Sequence, residues 1–532
     1  MQARYRWTAL QVTTAFTLIF LLLGLWIPFF FFGLFLTLPL LALGLYDLVQ
    51  KKHSLPRNFP ILGRLRYLIE AFGPALHQYV VESNKDGAPF NRDLRSLIYQ
   101  RSKNLEGKKP FGTEMDVYSS NHIWLNHSMT PKKESRELRL EIGGPQCDKP
   151  YNASIYNISA MSFGSLSANA ILALNSGAKK GGFFHTTGEG GISRYHRKPG
   201  GDLNWQIGSG YFGCRDKSGA FDPTAFADQS ADEQVKMIEI KISQGAKPGH
   251  GGILPGEKVT AEIAEARGVP IGADCISPPV HSAFTTPLEL MEFIARLRKL
   301  SGGKPVGFKI CIGHPWEFLG VCKAMLETEI YPDFIVVDGA EGGTGAAPLE
   351  FTDSIGFPLK EGLLIVHNAL TGIGLRDRIR IGVSGKIVTG IGIAGVVALG
   401  ADFVNTARGF MFALGCIQAQ MCHTNHCPVG VATQSADLQK ALDVADKSER
   451  VYHFHRNTIR SVKEVVQAAG FNHPSQLEPK HIYQRQGPTE VQSYSDVYHF
   501  LKPGELVEGT DNPRFRKFWD MASSNSFDPT AG

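Results

Sequence analysis

The hydrophobic pattern begins with one long apolar run at the amino end of the chain. No charged residue occurs from Trp7 to Tyr46. A helix of that length would span roughly 60 Å, about twice the hydrocarbon core of a bilayer, so a single straight span is not expected. The Ile27-Pro28 step divides the run into two halves of near-spanning length. The pattern therefore predicts a transmembrane helical hairpin within residues 1–50.

The charges around this run predict its orientation. The flanking basic side chains, which lie on both sides of the run, are Arg4, Arg6, Lys51, Lys52, His53 and Arg57. Positive charge at both ends favours the cytoplasmic side, so we expect an inner-membrane anchor with the remainder of the chain facing the cytoplasm. A signal peptide is a weaker alternative because the run is too long and has no small-residue cleavage site. A buried core hairpin is also weaker for so phenylalanine-rich a run.

From about residue 155, short β-branched runs alternate with amphipathic stretches. Strand–helix alternation predicts a parallel sheet. Eight strands over roughly 250 residues fit a (β/α)8 TIM barrel, an α/β fold, better than an open sheet. The alternative, a doubly wound sheet, lacks the G-x-G-x-x-G turn and acidic residue of a Rossmann unit. The runs predicted as strands are 156–160, 182–186, 237–242, 272–276, 306–311, 334–338, 380–384 and 403–407.

This pattern divides the chain into four predicted segments. The hairpin occupies residues 1–50, a connector or cap without a motif occupies 51–150, and the barrel occupies 151–430. A helical extension ending in a loose tail occupies 431–532. The content of 43% hydrophobic and 20% charged residues is that of a globular protein. The net charge of +5 is small, and no basic stripe is interleaved with aromatics, so nucleic acid is not a predicted partner.

Glycine-rich loops follow most of the predicted strands, as in TGEGGISR, SQGAKPGHGGILPG and GAEGGTGAAP. Such loops bring backbone N–H groups close to an anion, although any one of them could simply be a tight turn. The loops after the seventh and eighth strands carry Ser384-Gly385 and Ala407-Arg408-Gly409, where barrels usually bind phosphate. The set predicts a phosphate-bearing ligand that pairs with Arg408.

Charged residues inside or beside apolar strands are further candidates. Lys309 lies within VGFKIC, where alternation directs it into the barrel. A buried lysine needs an anionic or electron-rich partner, such as the N1–C2 edge of a flavin, unless it reaches solvent at the barrel rim. Lys241 poses the same question. Lys247 and Arg267 could clamp a dicarboxylate and Glu189 could meet an amine, although each alone is more often a surface charge.

Three of the eight cysteines form a group after the last predicted strand. Cys416, Cys422 and Cys427 have uneven spacing and a trailing proline. This favours an iron–sulfur cluster with three ligands over zinc, which would recruit His423 or His426. A disulfide is not expected in the cytoplasm. The other cysteines are expected to be buried small hydrophobes: Cys147, Cys214, Cys275, Cys311 and Cys322.

Long motifs in order make the region from about 155 to 470 resemble the FMN-binding synthase domain of the glutamate synthase large subunit. They are GAKPGHGGILPGEKVT, ISPPVH, DGAEGGTGAAP and GCIQAQMCHTNHCPVGVATQ. The resemblance implies a TIM barrel with FMN and a [3Fe-4S] cluster on Cys416, Cys422 and Cys427. It also implies that 2-iminoglutarate, formed from 2-oxoglutarate and ammonia, is reduced to glutamate. The whole chain looks like a short, membrane-attached branch of that family.

The resemblance also implies roles for individual residues. The substrate-site positions fall on Lys247, Glu189 and Arg267. The flavin would lie over Met161-Ser162 and Lys309, with its phosphate at the glycine-rich loops. The positions implied for the phosphate are Gly342, Gly343, Thr344, Gly345, Gly385, Arg408 and Gly409.

Two departures from the family pattern bear on the chemistry. No glutaminase domain with a catalytic amino-terminal cysteine is recognisable, and no cysteine precedes Cys147. Ile253 and His250 stand where the family has a glutamine and a glutamate, which favours a less acidic oxo- or imino-acid as an alternative substrate. The hairpin leaves a membrane electron-transfer module as a further alternative. The expected electron donor is a separate protein, such as ferredoxin or a reductase.

Overall fold

The computed structural model describes residues 6–134 and 136–530. The chain forms two compact units, Met1–Asp93 and Leu94–Gly532. Arg4, one of the basic residues expected to flank the hairpin, lies outside the described residues.

The first unit contains the predicted helical hairpin. Helices α1 (Thr8–Trp26) and α2 (Leu34–Val49) pack against each other, and a 3₁₀ turn that begins at Pro28 joins them. Most of their apolar side chains are exposed. Each half is long and apolar enough to cross a membrane, by length and composition. The unit continues with α3 (Ser54–Asn58), α4 (Leu62–Leu76) and a π-helical turn over His77–Val81.

The second unit is built on a closed barrel of eight parallel strands. Before the barrel come helix α5 (Arg92–Ser102), whose first two residues belong to the first unit, and strands β1 (Ile123–Leu125), β2 (Arg139–Ile142) and β3 (Tyr151–Ser154). The barrel strands follow one another in chain order around the barrel, and the last pairs with the first. They are β4 (Tyr156–Ile158), β5 (His185–Thr186), β6 (Leu203–Ile207), β7 (Val235–Lys241), β10 (Val306–Ile310), β11 (Phe334–Asp338), β12 (Arg380–Ser384) and β13 (Phe403–Thr406).

Helices connect these strands and cover the barrel. Those between the first and last barrel strands are α6 (Ala168–Gly181), α7 (Arg194–Arg197), α8 (Pro223–Ser230), α9 (Ala261–Arg267), α10 (Pro287–Leu300), α11 (Pro315–Thr328), α12 (Leu349–Ser354), α13 (Leu359–Gly372) and α14 (Gly390–Ala398). The elements after the barrel are α15 (Arg408–Ala413), α16 (Ala436–Gln439), α17 (Val444–Ala468), β14 (Ile482–Arg485), β15 (Val491–Ser493), α18 (Tyr494–Val497), α19 (Glu505–Glu508) and α20 (Pro513–Met521).

The TIM barrel prediction is confirmed, but one of its eight strands was wrong. The run 272–276 contributes only β9 (Cys275–Ile276), which pairs antiparallel with β8 (Ile253–Leu254) outside the barrel. The missing strand is β6, whose five residues are all buried. The sequence LNWQI was not predicted as a core strand because the polar residues Asn204 and Gln206 interrupt its apolar pattern. In the structure both side chains donate hydrogen bonds to a carboxylate inside the barrel.

An apolar cluster fills the amino-terminal end of the barrel. The β2–β3 hairpin supplies Ile142 and Ala153 to this cluster and so covers that end. Because that end is packed, the carboxyl ends of the strands are left for polar side chains. The other members of the cluster are Phe184, Met237, Phe334, Val336 and Phe403.

The carboxyl-terminal region is more ordered than the loose tail expected from the sequence. Helix α20 packs on α11. Lys323 donates a hydrogen bond to the Ala522 carbonyl at 2.9 Å, and its ammonium lies over the Trp519 ring. Aromatic and main-chain contacts, rather than an apolar run, hold this segment.

Candidate active site

Two ion pairs, one buried and one partly buried, occupy the carboxyl ends of the barrel strands. Lys309 Nζ lies 3.3 Å from Asp338 Oδ2, and Lys241 Nζ lies 3.1 Å from Glu189 Oε1. The Lys309 side chain is only 7% exposed, so it does not reach solvent at the barrel rim. Each lysine on the inner face of a strand is therefore matched by a carboxylate of this chain, as burial of charge requires.

Asp338 is a site residue that sequence analysis missed. Besides meeting Lys309, its carboxylate accepts hydrogen bonds from the Gly245 N–H at 2.8 Å and from the Ser384 hydroxyl. Asp338 therefore joins the loop after β7 to the end of β12. The available signal was a carboxylate at the end of the apolar strand FIVVD.

A third carboxylate, Glu239, lies deeper in the barrel. Asn204 and Gln206 donate to its two oxygens at 2.9 and 2.6 Å. Burial raises the pKa of Glu239, while Lys309 opposes that shift. The barrel interior thus carries a hydrogen-bonded group of polar side chains, Asn204, Gln206 and Glu239, beneath the ion pairs.

Glu189, Lys247 and Arg267, the three predicted substrate-site residues, line one cavity. Glu189 comes from the loop after β5, Lys247 from the loop after β7, and Arg267 from the end of α9. The cavity also reaches Ser162, Thr344 and Cys422. Residues 78 positions apart in sequence are brought together here because the barrel gathers the loops at the carboxyl ends of its strands.

The charges in this cavity modify one another. Burial acts to raise the pKa of Glu189, but Lys241, Arg267 and Lys247 together hold it below its usual value. Burial lowers the pKa of Lys247, and the nearby Lys241 lowers it further. The site is therefore one ionised carboxylate among three cations, suited to an anionic ligand with a nitrogen that can face Glu189.

Arg267 is held in position by its surroundings. Its Nη2 lies 3.4 Å from Ser162 Oγ and donates to the Phe163 carbonyl at 3.2 Å. The guanidinium also lies over the Phe212 ring at 5.3 Å. The side chain is only 5% exposed, so its orientation is fixed before any ligand binds.

Ile253 and His250, the two residues that differ from the family pattern, occupy different positions. Ile253 lines the cavity and is 48% exposed. His250 bonds to the Gly251 carbonyl at 2.8 Å and packs against the Phe351 ring. Ile253 therefore bears on ligand choice more directly than His250.

The glycine-rich loops after β11, β12 and β13 lie side by side. Arg408 donates to the Thr344 carbonyl at 3.1 Å, which joins the loop 342–345 to the start of α15. Gly385 is followed by Lys386, a second cation whose pKa is lowered by burial and by Arg408. Lys386 was missed because a single lysine after a glycine is unremarkable in sequence.

Met161-Ser162 and Gly409 complete the set of predicted positions at this end of the barrel. Met161 and Ser162 are buried after β4, and Gly188 packs closely on the Ser162 backbone. Gly409 is buried in α15 between Thr406 and Val388. All the predicted loop positions thus belong to connections at the carboxyl ends of the strands.

The three clustered cysteines line a second cavity, next to the first. All three are free thiols. Burial raises the pKa of Cys416 to about 11 and also raises that of Cys422, while Arg408 lowers both. Among the described residues, no three His, Cys, Asp or Glu side chains stand at metal-binding distances.

Neither nearby histidine joins the thiol cavity. His423 lines the first cavity, and His426 bonds to the Thr424 carbonyl at 2.6 Å. The thiol cavity is instead walled by apolar side chains, including those of Met411 and Val431. This arrangement fits a ligand held by sulfur alone better than a zinc ion held by sulfur and imidazole.

The cysteine loop has a constrained backbone. Gln418, Gln420 and Asn425 all adopt the left-handed region, with φ of 60°, 56° and 63°. Such conformations cost of order 1–3 kcal/mol each and concentrate at functional sites. Lys258 ties this loop to the first cavity, because it lines that cavity and donates to the Cys422 carbonyl at 2.7 Å.

Comparisons with known proteins identify the family. The family model described as a conserved region in glutamate synthase matches residues 130–472 of this chain. The chain is 37% identical to the glutamate synthase large subunit-like protein YerD of Bacillus subtilis, over 85% of this chain and 94% of that protein. It is 34% identical to the archaeal-type glutamate synthase (NADPH) of Thermotoga neapolitana, over 65% of this chain and 69% of the relative.

Among solved structures the likeness is low. A mandelate oxidase is 16% identical, with a TM-score of 0.40, over 70% of this chain and 87% of that chain.

The match to the conserved region covers more than half of the chain, and the Bacillus subtilis relative is similar over almost its whole length. The chain therefore belongs to the glutamate synthase family of oxidoreductases.

Proposed function

We propose that this chain reduces 2-iminoglutarate, formed from 2-oxoglutarate and ammonia, to L-glutamate, using FMN and a [3Fe-4S] cluster. The observation that carries the proposal is the convergence of Glu189, Lys247 and Arg267 in one cavity beside the three thiols. Family membership supports the same class of reaction.

The charges assign a role to each substrate residue. Arg267, fixed by its contacts to Ser162 and Phe163, would pair with one carboxylate of the substrate. Lys247 would pair with the other. Glu189 is ionised, and it would accept a hydrogen bond from the imine or amine nitrogen and so orient the reacting carbon.

The residues at the strand ends fit FMN. Gly385, Lys386 and Arg408 provide a glycine and two cations for a phosphate. Met161-Ser162 and Lys309 would lie against the flavin ring, with the ion pair to Asp338 holding the Lys309 ammonium in place. Bound FMN would supply the hydride for the reduction.

The cysteine loop fits a three-iron cluster. Cys416, Cys422 and Cys427 share one cavity, all are free, and neither neighbouring histidine lines it. A bound cluster would carry single electrons from a donor protein, such as ferredoxin or a reductase. Lys258, which contacts this loop and lines the substrate cavity, would keep the cluster site at a fixed distance from the substrate site.

We also propose that α1 and α2 anchor the chain in the inner membrane, with the barrel unit in the cytoplasm. The mostly exposed apolar side chains of both helices and the basic residues that flank them support this placement. Cell fractionation followed by protease treatment of sealed vesicles tests it. Protection of the barrel unit in inside-out vesicles would contradict the orientation.

One experiment tests both cofactors together. The protein is purified anaerobically in mild detergent, and visible absorption and low-temperature EPR spectra are recorded on one sample. Flavin bands with an oxidised three-iron signal are expected. Flavin without iron, with zinc found by metal analysis, would overturn the cluster, and loss of both would overturn the whole proposal.

A second candidate substrate rests on Ile253. This apolar side chain lines the cavity and offers no hydrogen bond to a substrate carboxylate. A polar residue at this position would favour a dicarboxylate more strongly. A less acidic oxo- or imino-acid is therefore the alternative. Reoxidation of the reduced flavin by a panel of oxo-acids with ammonia distinguishes the two, and turnover with none of them would favour an electron-transfer module.

A further inference from the structure

Helix α4 and the π-helical turn that follows it carry an apolar face that is exposed to solvent. The residues of this face recur at three- and four-residue intervals, the spacing of one side of a helix. Their exposed fractions lie between 51% and 71%. We define the α4 face by its members Leu65, Leu68, Ile69, Phe72, Leu76 and Val80.

The opposite side of α4 is charged. Arg66 forms an ion pair with Glu70 one turn later, at 2.6 Å, and both are well exposed. An exposed apolar helix face bordered by charged residues marks a surface that another molecule covers. Something other than the described residues of this unit therefore has to cover the α4 face.

The start of α4 is fixed to the end of the hairpin where the chain enters and leaves. Asp47, near the end of α2, is fully buried and accepts hydrogen bonds from Arg64 at 2.8 Å and from the Ile61 N–H at 3.1 Å. Arg6, just before α1, donates to Asn58 at 2.8 Å. These contacts place the first turn of α4 beside both ends of the hairpin, at the level where an anchored hairpin leaves the bilayer.

The basic residues around this point give the surface its charge. Lys51, Lys52 and Arg57 lie between α2 and α4 and are exposed. A cationic, amphipathic segment at the edge of a bilayer matches an anionic lipid surface in both charge and polarity. A soluble protein partner would not require this coincidence of apolar face, basic cluster and adjacent spanning helices.

We propose that the α4 face lies in the membrane interface, with its apolar side chains buried at the boundary between lipid headgroups and acyl chains. This inference rests on the proposed anchoring of the hairpin and adds a second, surface-lying element to it. The occupant of the α4 face is the bilayer itself rather than a second copy of the chain or a donor protein.

Photo-crosslinking of the full chain tests the placement. A p-benzoylphenylalanine replaces Phe72 on the α4 face, Glu70 on its polar side as the matched control, or Leu22 in α1 as a reference for the hairpin. Each protein is reconstituted into vesicles of phosphatidylethanolamine and phosphatidylglycerol and irradiated. Lipid adducts are then counted by mass spectrometry. We expect about fivefold or more lipid adduct at position 72 than at position 70.

The reference position separates the two proposals. Lipid adducts at position 22 but no excess at position 72 would overturn the interfacial helix and leave the anchor intact. A covalent dimer formed through position 72 would assign the α4 face to a second copy and would also overturn it. Absence of lipid adducts at both positions would overturn the anchor as well.

A second measurement avoids the photoreactive side chain. Phe72→Trp is compared with the parent protein for quenching of tryptophan fluorescence by brominated lipids. A helix in the interface predicts extra quenching that is stronger for bromine near the headgroup than for bromine at the bilayer midplane. Equal fractional quenching of the variant and the parent by bromine at both depths would contradict the proposal.

Discussion

Lys309 Nζ and Asp338 Oδ2 face each other across the adjacent strands β10 and β11, 3.3 Å apart inside the barrel. Both side chains are less than a tenth exposed. Asp338 also accepts the Gly245 N–H, two residues before Lys247. The pair therefore couples a buried cation at the proposed flavin site to the loop that carries Lys247, the lysine proposed to bind substrate.

Removing the charge of Asp338 tests this coupling. Asp338→Asn keeps an oxygen for the Gly245 N–H but leaves Lys309 without its counter-charge. A broken buried pair costs about 3–5 kcal/mol, so we expect a loss of that order in the free energy of unfolding, measured by urea denaturation. The control Asp437→Asn removes an exposed carboxylate paired with Lys440 and should change stability by less than about 0.5 kcal/mol. Equal stability of the two variants would refute the coupling.

Arg267→Lys tests the role of a fixed guanidinium. A lysine cannot reproduce contacts to both Ser162 and Phe163 while also pairing with a ligand carboxylate. We expect the KM for 2-oxoglutarate to rise by about tenfold or more, with a smaller effect on kcat. The control is Arg194→Lys, since Arg194 is exposed and its ion pairs within the described part of the chain are with Glu262 and Glu265. An unchanged KM for Arg267→Lys would remove Arg267 from the substrate site.

Ile253→Gln tests the departure from the family pattern by adding a contact. A glutamine amide reaching a substrate carboxylate would contribute about 1.5 kcal/mol, or roughly a tenfold lower KM for 2-oxoglutarate. Ile271→Gln, at an exposed isoleucine that does not line the cavity, is the control. A higher KM with Ile253→Gln, together with turnover of less acidic oxo-acids by the parent protein, would favour the alternative substrate.

Serine variants of the three clustered cysteines test the cluster. Cys416→Ser, Cys422→Ser and Cys427→Ser are each expected to lose most of the bound iron and acid-labile sulfide, because each removes one of three ligands. Cys147→Ser is the control, since this thiol lies elsewhere and bonds to the Gly303 carbonyl. Full iron content in all three variants would show that the thiols do not hold the metal.

His281 predicts a specific pH dependence of stability. Its Nε2 lies 2.9 Å from the Lys241 carbonyl and its Nδ1 lies 3.1 Å from the Tyr211 hydroxyl. Burial lowers the pKa of His281 from 6.5 to about 4. Between pH 6.5 and 4 the unfolded chain binds a proton that the native chain does not, so stability falls as pH falls. The loss is roughly 3 kcal/mol, at about 1.4 kcal/mol per pH unit.

The measurement is urea unfolding at several pH values for the parent protein and His281→Asn. The other buried histidines remain in both proteins, so their contributions cancel in the comparison. The variant should lose about 3 kcal/mol less stability than the parent across this interval. His127→Asn, which removes an exposed histidine, should parallel the parent. Parallel curves for His281→Asn would contradict the assignment.

Local pattern was sufficient for much of the architecture. Strand–helix alternation predicted a barrel because a parallel sheet needs a crossover after every strand. It failed at β6 because burial of Asn204 and Gln206 depends on Glu239, which lies in the next strand, and no local rule shows that partner. The same reason explains why α20 was not expected, since its packing on α11 joins residues about two hundred positions apart.

By itself, the sequence determined the apolar hairpin, the barrel class and the candidate residues, because those depend on length, periodicity and residue type. Only the tertiary structure decided which charges meet. Barrel closure set Lys309 against Asp338 and Lys241 against Glu189, and it brought Lys247 and Arg267 to one cavity. Such pairings depend on distances between strands and loops that neighbouring residues in the sequence do not reveal. The free energy of a buried charge depends almost entirely on those distances, which is why only the folded barrel decides the pairs.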